Sequence, residues 1–136
     1  MIKILLAEDN QGDILLIKQA LREHRILHEL HLAKDGAEAI EYVSKMGSPG
    51  NPPCPDLMLL DLNLPKIEGP DVLREFRRHS SCRFTPVIVV TSSDTRKDRN
   101  RMADLGITHY FRKPSDLEDF MKLGEIVRQV VGEEAA

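Results

Sequence analysis

The sequence predicts an α/β fold: five β-α units, (βα)5, forming a doubly wound parallel sheet with strand order 2-1-3-4-5. Three observations carry that prediction. Short, nearly continuous apolar runs at residues 1–7, 56–61 and 86–90 suit strands buried on both faces of a parallel sheet. Segments of helical periodicity separate the strand signals all along the chain. Strict β-α alternation then requires helical crossovers, which are right-handed almost without exception and lay helices on both faces of the sheet.

The first apolar run stops at Glu8-Asp9-Asn10. From Asp13 the spacing turns helical, with Ile14, Ile17 and Leu21 on one face and Lys18, Arg22 and Glu23 opposite. Residues 29–33 alternate polar and apolar, as a half-exposed edge strand does. Asp35 is placed to cap the next helix, whose inward stripe reads Ala37, Ile40 and Val43-Ser44. Four prolines and two glycines in residues 47–55 make a surface loop. After the second buried strand, Gly69-Pro70 opens a helix with Val72, Leu73 and Phe76 on one face. The third buried strand leads to Ser93-Asp94-Thr95, which starts a polar helix that runs to about Leu105 and ends at Gly106. Residues 108–111 form a short strand, and Ser115 caps a last helix with Leu117, Phe120, Leu123, Ile126, Val127 and Val130 at helical spacing.

With 136 residues the chain fits one domain, residues 1–136 with a core of about 2–131. A formal charge of −3 gives no general reason to expect nucleic acid or an anionic membrane as partner. No apolar run approaches the roughly 20 residues of a membrane span, and the N-terminus lacks a signal-peptide layout. Two cysteines, Cys54 and Cys82, are too few for a disulfide framework; reduced thiols and a cytoplasmic location are expected.

In this fold the ligand crevice lies beyond the carboxyl ends of the strands, near the first and third. The residues arriving there are Glu8, Asp9, Asp61, Thr91-Ser92 and Lys113. Taken singly, a loop Asp is a turn or cap residue and a lone Lys a solvated charge. Together, three carboxylates repel one another appreciably, and a stability-driven sequence would avoid them. A divalent cation removes the objection, and all-oxygen ligation suits Mg²⁺. Lys113 and the Thr91 hydroxyl would then serve a phosphoryl group, and an Asp carboxylate can act as its nucleophile. A flavin mononucleotide carrier fits poorly, because the acidic loop from Glu8 to Asp13 repels phosphate. An aspartyl-phosphate phosphatase would carry a second Asp two residues beyond the first, where this chain has Asn63.

Five motifs occur in order: Ile4-Leu-Leu-Ala-Glu8-Asp9-Asn10, Leu59-Leu-Asp61-Leu-Asn-Leu-Pro65, Gly69, Val89-Val-Thr91-Ser92 and Tyr110-Phe-Arg-Lys113-Pro114. They resemble response-regulator receiver domains, in register over about residues 2–131. The resemblance implies a flavodoxin-like receiver fold and makes Asp61 the phosphoacceptor. It gives Mg²⁺ to Asp9 directly, to Glu8 through water or as support, to Asp61, and to the main-chain carbonyl of Asn63. Thr91 becomes the hydroxyl that moves toward the phosphoryl group, Lys113 the cation beside it, and Pro114 the residue after a cis peptide. Tyr110 becomes the switch aromatic that turns inward when Thr91 moves. Asn63 and Ser93 occupy the positions that tune dephosphorylation. The implied role is a phosphoacceptor switch rather than an enzyme, charged by a sensor histidine kinase or histidine phosphotransfer protein and read by a downstream protein. The long loop at residues 47–55 and the segment 61–66 look more narrowly like stand-alone receivers that serve phytochrome-type and other hybrid sensor kinases. No output module fits after residue 131, so a stand-alone receiver is expected.

His24, His28 and His31 pass from a helix end into a strand and do not form a metal site. Arg96, Lys97, Arg99 and Arg101 in the fourth helix, against Asp116, Glu118 and Asp119 in the fifth, suit a symmetric homodimer through helix 4, strand 5 and helix 5. Their mixing with Asp94, Asp98 and Asp104 speaks against DNA.

Overall fold

A computed structural model describes residues 1–50, 53–79 and 82–132. Its elements alternate as expected: β1 (Ile2–Ala7), α1 (Gln11–Glu23), β2 (His28–Ala33), α2 (Gly36–Lys45), β3 (Leu57–Leu60), α3 (Gly69–Arg78), β4 (Val87–Thr91), α4 (Arg96–Asp104), β5 (His109–Arg112) and α5 (Leu117–Val131). All strand pairs are parallel and the order is β2-β1-β3-β4-β5.

Alternation along each strand builds two cores. Ile2, Ile4, Leu6, Leu57, Leu59, Ile88 and Val90 pack toward α1 and α5. Leu5, Ala7, Met58, Leu60, Val87 and Val89 pack toward α2, α3 and Met102 of α4. Central strands with both faces covered read as unbroken apolar runs for this reason. The edge strand β2 buries only Ala33 fully, which explains its alternating sequence.

Several local readings shift. Asn10, whose side chain accepts from the Asp13 N–H at 2.9 Å, caps α1 and starts it at Gln11. Asp35 caps α2 as expected, yet the buried stripe is Gly36, Ala39 and Val43, and Ser44 is exposed. Gly36 explains the rotation: a Cβ there would lie 1.9 Å from the Ile67 carbonyl oxygen, so this face carries the closest contact with the loop after β3. Asp116, not Ser115, caps α5 by accepting from the Glu118 N–H, and Leu117 is left 51% exposed as the first helical residue. The described residues contain no cis peptide bond, so Lys113–Pro114 is trans; an X–Pro bond prefers that form by roughly 0.5–1 kcal/mol.

The expectation of reduced thiols is overturned. Cys54 and Cys82 form a disulfide, with Cα atoms 5.6 Å apart across 28 residues of sequence. The fold brings the approach to β3 alongside the approach to β4, well inside bridging range. Arg77 of α3 fastens the same region: its guanidinium donates to the carbonyls of Cys82 at 3.0 Å, Thr85 at 2.7 Å and Gly106 at 3.1 Å.

Candidate functional site: an acidic crevice with one buried lysine

Parallel pairing aligns the strand ends. The Asp61 N–H donates to the Ala7 carbonyl at 3.0 Å, the Glu8 N–H to Ala33 at 3.0 Å, and the Lys113 N–H to Thr91 at 2.7 Å. Four side chains are thereby delivered to one pole of the sheet by hydrogen bonds that continue the ladder. The close seat of α3 behind β3 depends on Gly69, where a Cβ would come within 2.5 Å of the Asp61 carbonyl oxygen.

Oxygens of Glu8, Asp9 and Asp61 lie within 4.8 Å of one another, with Glu8 and Asp61 buried and Asp9 exposed. Across from them the Lys113 ammonium sits 2.7 Å from Glu8 Oε1, 2.7 Å from Asp13 Oδ2 and 3.3 Å from Asp61 Oδ2. Glu8 Oε2 accepts from the Asp9 and Asn10 N–H groups at 3.1 and 3.2 Å. Its Oε1 is a buried acceptor with the ammonium close by but no well-directed hydrogen bond among the described residues. Burial pushes the Glu8 carboxyl up to about 7; Lys113 pulls against this and the charge of Asp61 adds to it. Burial by itself would lower the pKa of Lys113, but its close contacts with the Asp13 and Glu8 carboxylates and the charge of Asp61 hold it above its ordinary value.

An all-oxygen set of three carboxylates, one of them with an under-satisfied buried oxygen, fits a hard divalent cation. Asn63 stands beside the cluster, its N–H donating to Asp61 Oδ1 at 3.3 Å. Thr91 is the last residue of β4, fully buried, its Oγ1 accepting from the Ser93 N–H at 3.3 Å. Tyr110 is half-buried: its hydroxyl donates to the Ser93 carbonyl at 2.6 Å and its ring lies 4.4 Å from the Arg99 guanidinium carbon. Ser93 also contacts Asp98, and Arg99 contacts Asp94, so the β4–α4 loop and the ring form one polar network.

Every residue singled out for the crevice therefore falls at this pole or on the loop beside it. Asp13 was missed. As the third residue of α1 it reads as a helix-start acid, and only its position one turn beyond Asp9 hints that it faces the same crevice. The histidines stay apart: His24 caps α1, His28 Nδ1 contacts the Ile26 carbonyl, and His31 stacks on Tyr42 at 4.2 Å.

The family profile described as response regulator receiver domain matches residues 4–124. The chain belongs to that family. Response regulator Rcp1 of Synechocystis sp. is 37% identical over 120 residues, covering 88% of this receiver and 82% of Rcp1. The Mn²⁺-bound structure of Rcp1 superposes with a TM-score of 0.83 at 34% identity, covering 95% and 93% of the two chains. The phosphorylated cyanobacterial phytochrome response regulator RcpA gives 0.86 at 35% identity, covering 99% and 96%. The receiver domain of a Pseudomonas aeruginosa sensor histidine kinase, with magnesium coordinated in its active-site cleft, gives 0.76 at 26% identity, covering 97% and 98%. This receiver is thus a response regulator of two-component signalling, a phosphoacceptor rather than an enzyme, and receivers partner histidine kinases. Among the described residues no helix is long and apolar enough to cross a membrane.

Proposed function

We propose that Asp61 accepts a phosphoryl group with Mg²⁺ held by Asp9, Asp61, Glu8 and the main-chain carbonyl of Asn63. The observation that carries the reading is the buried Asp61 carboxylate, with two further carboxylates within 4.8 Å and an ammonium at 3.3 Å. An Asp61 oxygen forms a bond to phosphorus as the bond from phosphorus to the donor's imidazole nitrogen breaks, and that nitrogen leaves with the electron pair. Bound Mg²⁺ neutralises charge on the phosphoryl oxygens. Lys113 supplies a second positive charge, and the Thr91 hydroxyl donates to a phosphoryl oxygen after turning from the Ser93 N–H. With Thr91 withdrawn from the loop, the Tyr110–Ser93 contact loosens and the ring turns inward, which biases a two-state surface of α4, β5 and α5.

The same proposal takes residues 1–136 as one receiver domain, core about 2–131, acting as a stand-alone regulator. The high share of Rcp1 and RcpA that the chain covers supports this. A histidine kinase or phosphotransfer protein of the phytochrome-associated kind is the donor we assign, and a protein is the output. We place this receiver in the cytoplasm with its donor; the cysteines, being bridged, no longer argue for it. A symmetric dimer through α4, β5 and α5 completes the reading, with Arg96 and Lys97 exposed on one helix and Glu118 and Asp119 on the other.

Incubation with Mg²⁺ and acetyl phosphate, or with beryllofluoride, tests the central claim. Mass spectrometry should find one added phosphoryl group on the wild type and none on D61N. Equal labelling of D61N would refute it.

A further inference from the structure

Asp13 lies outside the carboxylate cluster, yet it is as close to the Lys113 ammonium as Glu8 is and closer than Asp61. An ammonium has three donors, and here three carboxylates surround it. A phosphoryl group on Asp61 brings new oxygens to a cation that three carboxylates already crowd, two of them by hydrogen bonds, so one existing partner has to yield. Glu8, with a side chain 1% exposed, has no water to take the ammonium's place. Asp13, 24% exposed, has water to replace the cation.

We propose that Asp13 is a positioning residue that holds Lys113 toward α1 and competes with the phosphoryl group on Asp61 for the ammonium. This rests on the Asp61 reading and adds a built-in brake to it: the phosphorylated state receives only the share of Lys113 that Asp13 releases. The backbone role of Asp13 is separate, since its N–H, not its carboxylate, meets the Asn10 cap.

D13N keeps shape and capping while removing the charge. Beryllofluoride with Mg²⁺ should bind D13N roughly three- to tenfold more tightly than wild type, and its phosphoryl group should be lost more slowly by a similar factor. D13E, with a carboxylate restored on a longer arm, should return toward wild type. A helix-start role alone would move the melting temperature and leave the affinity where it was. Unchanged or weaker binding by D13N, or D13E as tight as D13N, overturns the proposal. A second readout needs no metal: the Lys113 ε-ammonium NMR resonance should shift more in D13N than in D61N, and the reverse order also overturns it. Should wild type bind no beryllofluoride, the Asp61 reading fails, and the resonance alone decides about Asp13.

Discussion

A carboxyl group buried to 1% exposure is governed first by its loss of water, and for Glu8 burial, helped by the nearby Asp61, outweighs the ammonium 2.7 Å away. Its folded pKa of about 7 lies above the unfolded value near 4.5, so the folded state holds more protons between those limits. Stability from this group therefore falls as pH rises from about 4.5 to 7, in metal-free protein. E8Q should lack that component: subtracting its denaturation free energy from that of wild type, at several pH values, should leave a difference that declines over this window. Mg²⁺ added at pH 7 should raise the melting temperature of wild type more than that of E8Q. At the same scale, most of the site was legible because strand ends are marked in sequence by an abrupt change from apolar to acidic or hydroxyl residues. Asp13 was not, since its partner is 100 residues away and the contact depends on how far Lys113 reaches over α1.

Between elements, close approach rather than propensity sets the geometry. Gly69 allows α3 to start against the Asp61 and Leu62 backbone, where a Cβ would meet atoms at 2.5 and 2.8 Å. G69A should displace the β3–α3 loop, cost about 1–3 kcal/mol in urea denaturation, and weaken beryllofluoride binding because Asp61 and Asn63 move with it. The paired variant C54S/C82S should lose about 3–4 kcal/mol, the loop-closure value for a 28-residue separation, against oxidised wild type. Equal stability of wild type with and without a reducing agent would contradict that. Hydropathy alone gave the strands and helices because their periods differ, while caps and stripes slid by a residue wherever a backbone contact fixed the rotation. In α2 the Gly36–Ile67 approach chose the buried face; apolar content alone favoured another.

For the whole molecule, topology was the most legible level, since alternation and handedness leave few arrangements open. The cysteine bridge was the least legible: the strand order makes the entrances of β3 and β4 neighbours, but two cysteines in irregular loops carry no pattern that shows their sulfurs meet. The surface of α4, β5 and α5 came out more self-engaged than its charges suggest: Arg99 is taken up by Asp94 and Tyr110, and Lys122 pairs with Asp119 at 3.0 Å. A dimer there relies on Arg96 and Lys97, and should weaken with salt. Sedimentation with beryllofluoride at low and high ionic strength checks this; a monomer under both conditions excludes the dimer.

The Cys54–Cys82 bridge ties the entrances of β3 and β4, the two strands whose far ends carry Asp61 and Thr91. Local opening of that strand pair must then begin at the crevice end, since the other end is sewn shut. In amide hydrogen exchange, a thiol reagent should loosen β3 and β4 ahead of the α1–α5 layer, opening the seam at the end the bridge had closed.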